Sequence, residues 1–294
     1  MDESMHDATS KQEPPLGLIA GNGSFPCLLV DSAVARGFSV VVAYHSGETE
    51  PQVLEKATAS IPVRVGQLGK ISRFFRHHGV QDVVFLGGIR RSALWKHFLP
   101  DRLGLKVALQ LPSLRDDGIL RNVATAFEAL GLKVLNPVDF LSDHILSTKL
   151  LTNRSLSKSE WKAAMVGWEA AKKLGAADKG QTVVVKDHLV VAQENFLGTD
   201  SCIRRSKKYL SAGEGVVVKL PKPQQDRRVD LPAIGPKTVT LMQDSGCSAL
   251  ILEMNGAILS DVQEIMRLAN SYGIAIMGFE SFDDLSSTYE DCQI

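Results

Sequence analysis

Short apolar runs alternate with amphipathic stretches along the first half of the chain. Leu16–Ala20 is uninterrupted and apolar, and Gly21-Asn22-Gly23-Ser24 follows at once. A run of this length bounded by turn residues suits a strand buried on both faces. The pattern then predicts a helix from Pro26 to Arg36 closed by Gly37, since proline is tolerated in a first helical turn and glycine favours a helix end. Further strands are expected at Phe38–Tyr44, Ile61–Val65 and Val80–Leu86, with a helix over Lys70–His78 between the last two. Helices over 101–111 and 117–130 and a strand at Lys133–Leu135 complete this half. Strands alternating with helices imply a parallel sheet covered on both faces, a Rossmann-like α/β arrangement.

From 139 to 160 the periodicity fades into serine, threonine and asparagine, which reads as a linker. A helix is expected over Glu160–Leu174. β-type runs follow at Thr182–Lys186, Leu189–Gln193, Gly215–Leu220, Ser248–Leu252 and Ile274–Phe279, with a helix over 261–271. The expected organisation is a polar tail over 1–15, a Rossmann-like domain over 16–138, a linker over 139–160 and a second α/β domain with a mixed sheet over 161–294.

Composition narrows the classes. The 294 residues carry 33 Lys+Arg against 33 Asp+Glu, with 44% hydrophobic and 22% charged residues, so disordered, coiled-coil and collagen-like chains are excluded. A net charge of zero argues against a protein that coats nucleic acid. The zero is an average, because basic residues dominate the segment from Arg204 to Arg228. The four cysteines, Cys27, Cys202, Cys247 and Cys292, form no CxxC pair, which argues against a zinc clip and suits a reducing cytoplasm. No stretch of about 18 uncharged apolar residues occurs, so no transmembrane helix is expected.

Five segments carry candidate chemistry. Gly21-Asn22-Gly23 sits between a strand and a helix, where glycines admit a phosphate and free N–H groups attract anions. Pro26 stands in place of a third glycine, and no carboxylate ends the second strand, so the dinucleotide fingerprint is incomplete. Glu48 and Glu50 come too late in the sequence for that carboxylate. Lys70, after Gly69, lacks the spacing of a P-loop; it is either a phosphate contact or a solvated lysine. Gly87-Gly88-Ile89-Arg90 follows the fourth strand, at the sheet edge where open α/β sheets bind ligands. Gly198-Thr199-Asp200 offers a hydroxyl and a carboxylate, or simply an Asx turn. Finally, the proline-rich loop 221–236 gathers Lys222, Asp226, Arg227, Arg228 and Asp230, groups suited to a divalent cation and a diphosphate.

Taken in order, Leu16–Gly23, Gly69-Lys70, Gly87-Gly88, Asp101–Lys106, Gly198-Thr199-Asp200 and Arg228-Val229-Asp230-Leu231-Pro232 resemble the UDP-2,3-diacylglucosamine pyrophosphatase family of lipid A synthesis, in its two-domain form unrelated to the calcineurin-like enzymes. The resemblance spans residues 16–280. It implies hydrolysis of the pyrophosphate of UDP-2,3-diacylglucosamine to UMP and 2,3-diacylglucosamine 1-phosphate (lipid X), with Mg²⁺ or another divalent cation as cofactor and the lipid bound between the domains. The family's essential aspartate falls on Asp230. Two departures stand out: the stretch Gln193–Gly198 is longer than the family's, and Ala233 replaces a threonine.

On this reading Asp230 is catalytic and a metal ligand, joined by Asp200 and Asp226. Gly21, Asn22, Gly23, Lys70, Gly88, Arg90, Thr199, Lys222 and Arg228 bind substrate. The partner implied is the acylated nucleotide sugar, without nucleic acid. The expected location is cytoplasmic, with peripheral contact at the inner membrane and a homodimer left open. Two alternatives remain at this point: an NAD(P)-dependent oxidoreductase, suggested by the strand–GxG–helix start, and a non-catalytic nucleotide-sugar or lipid-binding protein.

Overall fold

A computed structural model describes residues 13–90, 98–109, 116–229 and 231–291. The chain forms two compact units that divide after Phe140.

The first unit contains β1 (Leu16–Ala20), α1 (Phe25–Ala35), β2 (Val40–His45), the one-turn α2 (Gln52–Glu55), β3 (Ala59–Val63), α3 (Leu68–His77), β4 (Asp82–Leu86), α4 (Arg102–Leu109), α5 (Asp116–Glu128) and β5 (Lys133–Val134). The five strands lie in the order β3-β2-β1-β4-β5, every neighbouring pair parallel. All five residues of β1 are buried, as an interior parallel strand requires. Helix α3 turns Leu68, Ile71, Ser72 and Phe75 inward, the spacing of one helical face. The chain runs from β1 to β2 and β3 on one side, then crosses to β4 on the other. This reversal leaves a crevice beyond the carboxyl ends of β1 and β4.

The second unit contains α6 (Lys158–Ala176), β6 (Thr182–Lys186), β7 (Leu189–Gln193), α7 (Gly198–Ser206), β8 (Gly215–Lys219), β9 (Ala233–Ile234), α8 (Pro236–Asp244), β10 (Cys247–Glu253), β11 (Ile258–Leu259), α9 (Val262–Tyr272), β12 (Ala275–Phe279) and α10 (Phe282–Asp291). Its main sheet has the order β12-β10-β8-β6-β7. The pairs from β12 to β8 are parallel and those from β8 to β7 antiparallel, so the sheet is mixed. Side chains alternate between its two faces. Val183, Val185, Val216, Val218 and Ile251 join Trp161 and Trp168 of α6 on one side. Val184, Val217, Leu250 and Ile276 join Ile203, Val239 and Ile265 on the other. With both faces covered, the central strands carry apolar runs such as Val183–Val185 and Val216–Val218, which show no alternation in sequence.

Several sequence expectations change. Gly198–Ser206 is helical, so Thr199 and Asp200 stand in a first helical turn and not in an isolated turn. Helices α2, α8 and α10 were not foreseen. Helix α8 opens with Pro236 in its first turn after Gly235 as N-cap, a start signal hidden inside the proline-rich loop. The stretch 139–160, expected as a linker, is stitched to β12 instead. Leu151 N donates to Ile276 O (3.0 Å), and Gly278 N donates to Lys149 O (2.9 Å). Thr152 Oγ1 accepts from Ile276 N at 2.9 Å. Polar residues here satisfy an edge strand, which a composition-based reading takes for solvated loop. Among the described residues no helix is long and apolar enough to cross a membrane.

One carboxylate ties this segment down. Ser157 and Glu160 form a capping box at the start of α6. Glu160, 7% exposed, also accepts from Arg154 at 2.7 and 2.9 Å and from the Ser248 hydroxyl at 2.5 Å. Burial by itself would raise the Glu160 carboxyl, but these donors outweigh it and hold the group below its ordinary value. Its stabilising contribution is therefore complete above the unfolded value near ~4.3 and is lost as pH falls through the lower folded value. Glu160→Ala is expected to cost about 3 kcal/mol, toward the low end for a buried pair because Arg154 is one-third exposed. Urea denaturation at pH 7 reads this cost, and the gap between variant and parent should shrink below pH 4.

Candidate functional site

In the first unit the site is built around the close approach of two loops. Gly21 N donates to Leu86 O at 2.8 Å, and Asn22 N donates to Gly88 O at 2.7 Å. A Cβ on Gly21 would lie inside contact distance of the Gly87 and Gly88 backbone, so only glycine allows this approach. The loops are locked by Glu48, which lies in the turn after β2 and is 8% exposed. Its Oε2 accepts from Asn22 Nδ2 (3.0 Å), Arg90 N (3.1 Å) and Arg90 Nε (3.3 Å). Burial pushes the Glu48 carboxyl up, and the hydrogen bonds from Asn22 and Arg90 more than reverse this, leaving it below the usual carboxylate range.

The structure thus gathers Gly21, Asn22, Gly88 and Arg90 around one carboxylate that sequence spacing had dismissed. The usual ribose-binding carboxylate sits at the end of the second strand. Glu48 lies three residues past His45 and is committed to Asn22 and Arg90. Gly23 is exposed in the left-handed region, at φ 91°, where the chain turns into α1. Lys70 donates from its backbone N to Asp101 (2.9 Å) and from Nζ to Pro62 O (2.7 Å). A cavity of about 560 Å³ opens beside the carboxyl ends of β2 and β3, lined in part by His45, Ser46, Glu48, Gln67, Lys70 and Leu99. His45 Nδ1 lies 3.1 Å from Ala20 O. Burial drives its ring toward the neutral form, outweighing the hydrogen bond to Ala20 and the field of Glu48.

In the second unit the charged loop before α8 is laced with ion pairs. Lys222 Nζ donates to Asp178 at 2.9 Å. Arg228 grips Asp226 through Nε at 3.0 Å and Nη2 at 2.8 Å. Arg227 and Lys172 both donate to Glu253, at 2.7 and 2.5 Å. Lys219, 5% exposed at the end of β8, donates from Nζ to Ala233 O at 2.9 Å. Asp230 lies outside the described residues. Thr199 meets Glu194 (3.3 Å) and Thr182 (3.2 Å) through its hydroxyl. Asp200 pairs with Lys237 at 2.9 Å, so it belongs to a contact between α7 and α8.

Two of the expected acids thus have basic partners. Asp226 is engaged by Arg228 and Asp200 by Lys237. Among the described residues, no group of three or more His, Cys, Asp or Glu side chains could hold a metal ion. Glu253, Asp178 and Lys219 were missed by sequence reasoning. Glu253 left one signal, a carboxylate closing the apolar run Cys247–Leu252.

The Glu48 clamp has a direct readout. Glu48 is the acceptor for the Arg90 amide, so Glu48→Ala should speed hydrogen exchange at that amide by about tenfold or more. Amides within β1 should keep their protection. In the parent protein the clamp should hold above pH 4.5 and loosen only as pH falls further, because its folded value is depressed.

Both units match known families. Residues 15–144 match the family model described as LpxI N-terminal domain, and residues 147–277 match LpxI C-terminal domain. The chain is 30% identical over 278 residues to the UDP-2,3-diacylglucosamine pyrophosphatase LpxI of Caulobacter vibrioides, covering 90% of this chain and 97% of that protein. Among solved structures, Bordetella bronchiseptica WbmG in complex with NAD and UDP gives a TM-score of 0.28 at 18% identity, covering 40% of this chain and 34% of that one. The structure of gox2253 gives 0.31 at 9% identity, covering 94% and 92%. Likeness this slight says nothing about function. The relationship to LpxI corrects the two alternatives, an NAD(P)-dependent oxidoreductase and a non-catalytic binding protein, neither of which it favours. Matched in both halves and along nearly its whole length, the chain belongs to the LpxI family.

Proposed function

We propose that the protein hydrolyses the pyrophosphate of UDP-2,3-diacylglucosamine, as the name of its Caulobacter relative describes for that enzyme. The observation that carries this reading is the end-to-end relationship to that relative. In the reaction, water adds across the P–O–P bridge. One P–O bond forms, the bridging P–O bond breaks, and the products are UMP and 2,3-diacylglucosamine 1-phosphate.

The residues supply what such a step needs. A carboxylate that orients the attacking water and takes its proton is the role proposed for Asp230. Negative charge building on the phosphate oxygens calls for cations and backbone donors. Arg228 and Lys222 are held at the loop that leads into Asp230. Meeting phosphate there means exchanging their carboxylate partners, Asp226 and Asp178, for phosphate oxygens. Within the first unit, Arg90 beside the glycine-rich loops is a candidate cation for an anionic group. A divalent cation enters the proposal as a companion of the diphosphate, because Mg²⁺ is commonly held by one or two carboxylates plus substrate phosphates. Cytoplasmic placement with transient contact at the inner-membrane surface remains part of the proposal, motivated by an acylated substrate.

Purified protein given UDP-2,3-diacylglucosamine should release UMP together with the lipid-linked sugar 1-phosphate. Asp230→Asn should lower kcat by at least ~100-fold, the usual loss when a positioned base is removed. Full activity in that variant would remove Asp230 from its role, and no UMP from the parent protein would remove the hydrolase reading. Activity should vanish in excess EDTA and return on adding Mg²⁺. Undiminished turnover in EDTA would show that no divalent cation is needed.

A further inference from the structure

We infer that the cavity beside the carboxyl ends of β2 and β3 receives the nucleobase of the substrate and selects uracil over cytosine. The inference rests on the hydrolase reading, which supplies a uridine-bearing substrate. It adds the place where the base is held and the groups that recognise it.

The hydrogen-bonding pattern of the lining is the main argument. His45 Nδ1 faces the Ala20 carbonyl oxygen, which can only accept, so Nδ1 carries the hydrogen. Nε2 of a neutral ring is then an acceptor. Gln67 Oε1 already accepts from Arg64 N at 3.0 Å, which leaves the Gln67 amide nitrogen as a donor without a partner among the described residues. The Ser46 hydroxyl, also without a partner among the described residues, is a second donor. One acceptor and two donors thus line the same cavity. Uracil presents the complement, an N3–H between two carbonyl oxygens. Cytosine presents a bare N3 beside an amino group and would oppose acceptor to acceptor. A buried acceptor left facing another acceptor forfeits its hydrogen bond and its hydration together.

The remaining walls agree. Ile89 and Leu99 offer apolar surfaces for the faces of a ring. Arg64 is exposed and its guanidinium makes no hydrogen bond or ion pair among the described residues, so a cation stands at the rim for a phosphate. The volume of about 560 Å³ lies within the range of small-ligand sites. Acyl chains would require a continuous apolar lining, whereas this wall includes Glu48, Arg64 and Lys70.

Calorimetric titration of the full chain with UMP and with CMP tests the inference without turnover. UMP should bind at least about tenfold more tightly than CMP. Gln67→Ala should weaken UMP by about tenfold. Leu99→Trp, a change at a half-exposed side chain, should fill the cavity and abolish binding while leaving the melting temperature within a few degrees. Equal affinity for UMP and CMP, or UMP binding unchanged in both variants, would overturn it. The two readings fail separately. Selective UMP binding that both variants disrupt, in a protein that releases no UMP from the lipid substrate, sinks the hydrolase alone. Turnover whose KM is indifferent to both variants sinks the base pocket alone.

Discussion

A carboxylate taken out of water costs several kcal/mol unless donors surround it. Three of them organise this protein. Glu48, Glu160 and Glu253 are each at most 9% exposed. Each is met by an arginine: Arg90, Arg154 and Arg227. None of these contacts is a surface ornament. Each sits where a strand ends or a helix begins. Removing the acid would take an ion pair from each arginine and, at Glu48 and Glu160, the acceptor of a backbone N–H as well.

The same constraint shapes the two regions that matter for chemistry. In the first unit, Glu48 converts a glycine-rich turn and a second glycine pair into one fixed wall, with Arg90 held against it. In the second, three cations at the end of the basic segment, Lys222, Arg227 and Arg228, are paired with Asp178, Glu253 and Asp226. Such a loop is preorganised and latent at once. Its cations are already placed, and a diphosphate, carrying more charge than a single carboxylate, can compete for them.

The architecture was largely legible beforehand in the first half. Leu16–Ala20, the valines of β2 and the run ending at Leu86 lie in a parallel sheet, where burial on both faces demands unbroken apolar runs. Legibility failed where polar residues serve backbone pairing. Thr152 and Asn153 read as solvated linker, yet they complete hydrogen bonds along β12 and to α9. It failed again at Gly198-Thr199-Asp200, where a glycine at positive φ precedes a helix instead of making a free turn.

What the amino-acid order determined by itself was local and cumulative: strand runs, glycine turns, proline starts, and the ordered motifs that resemble one family. Those signals depend on neighbours within a few residues, and they survive reading in one dimension. Tertiary structure decided the partners. It joined Glu48 to Arg90 across 42 positions and Glu160 to Ser248 across 88, and assigned Asp226 to Arg228 and Asp200 to Lys237. A charged side chain in sequence carries no record of which counter-charge will share its desolvation. Only the fold brings the two together, and so only the fold could show that Glu48 is a clamp.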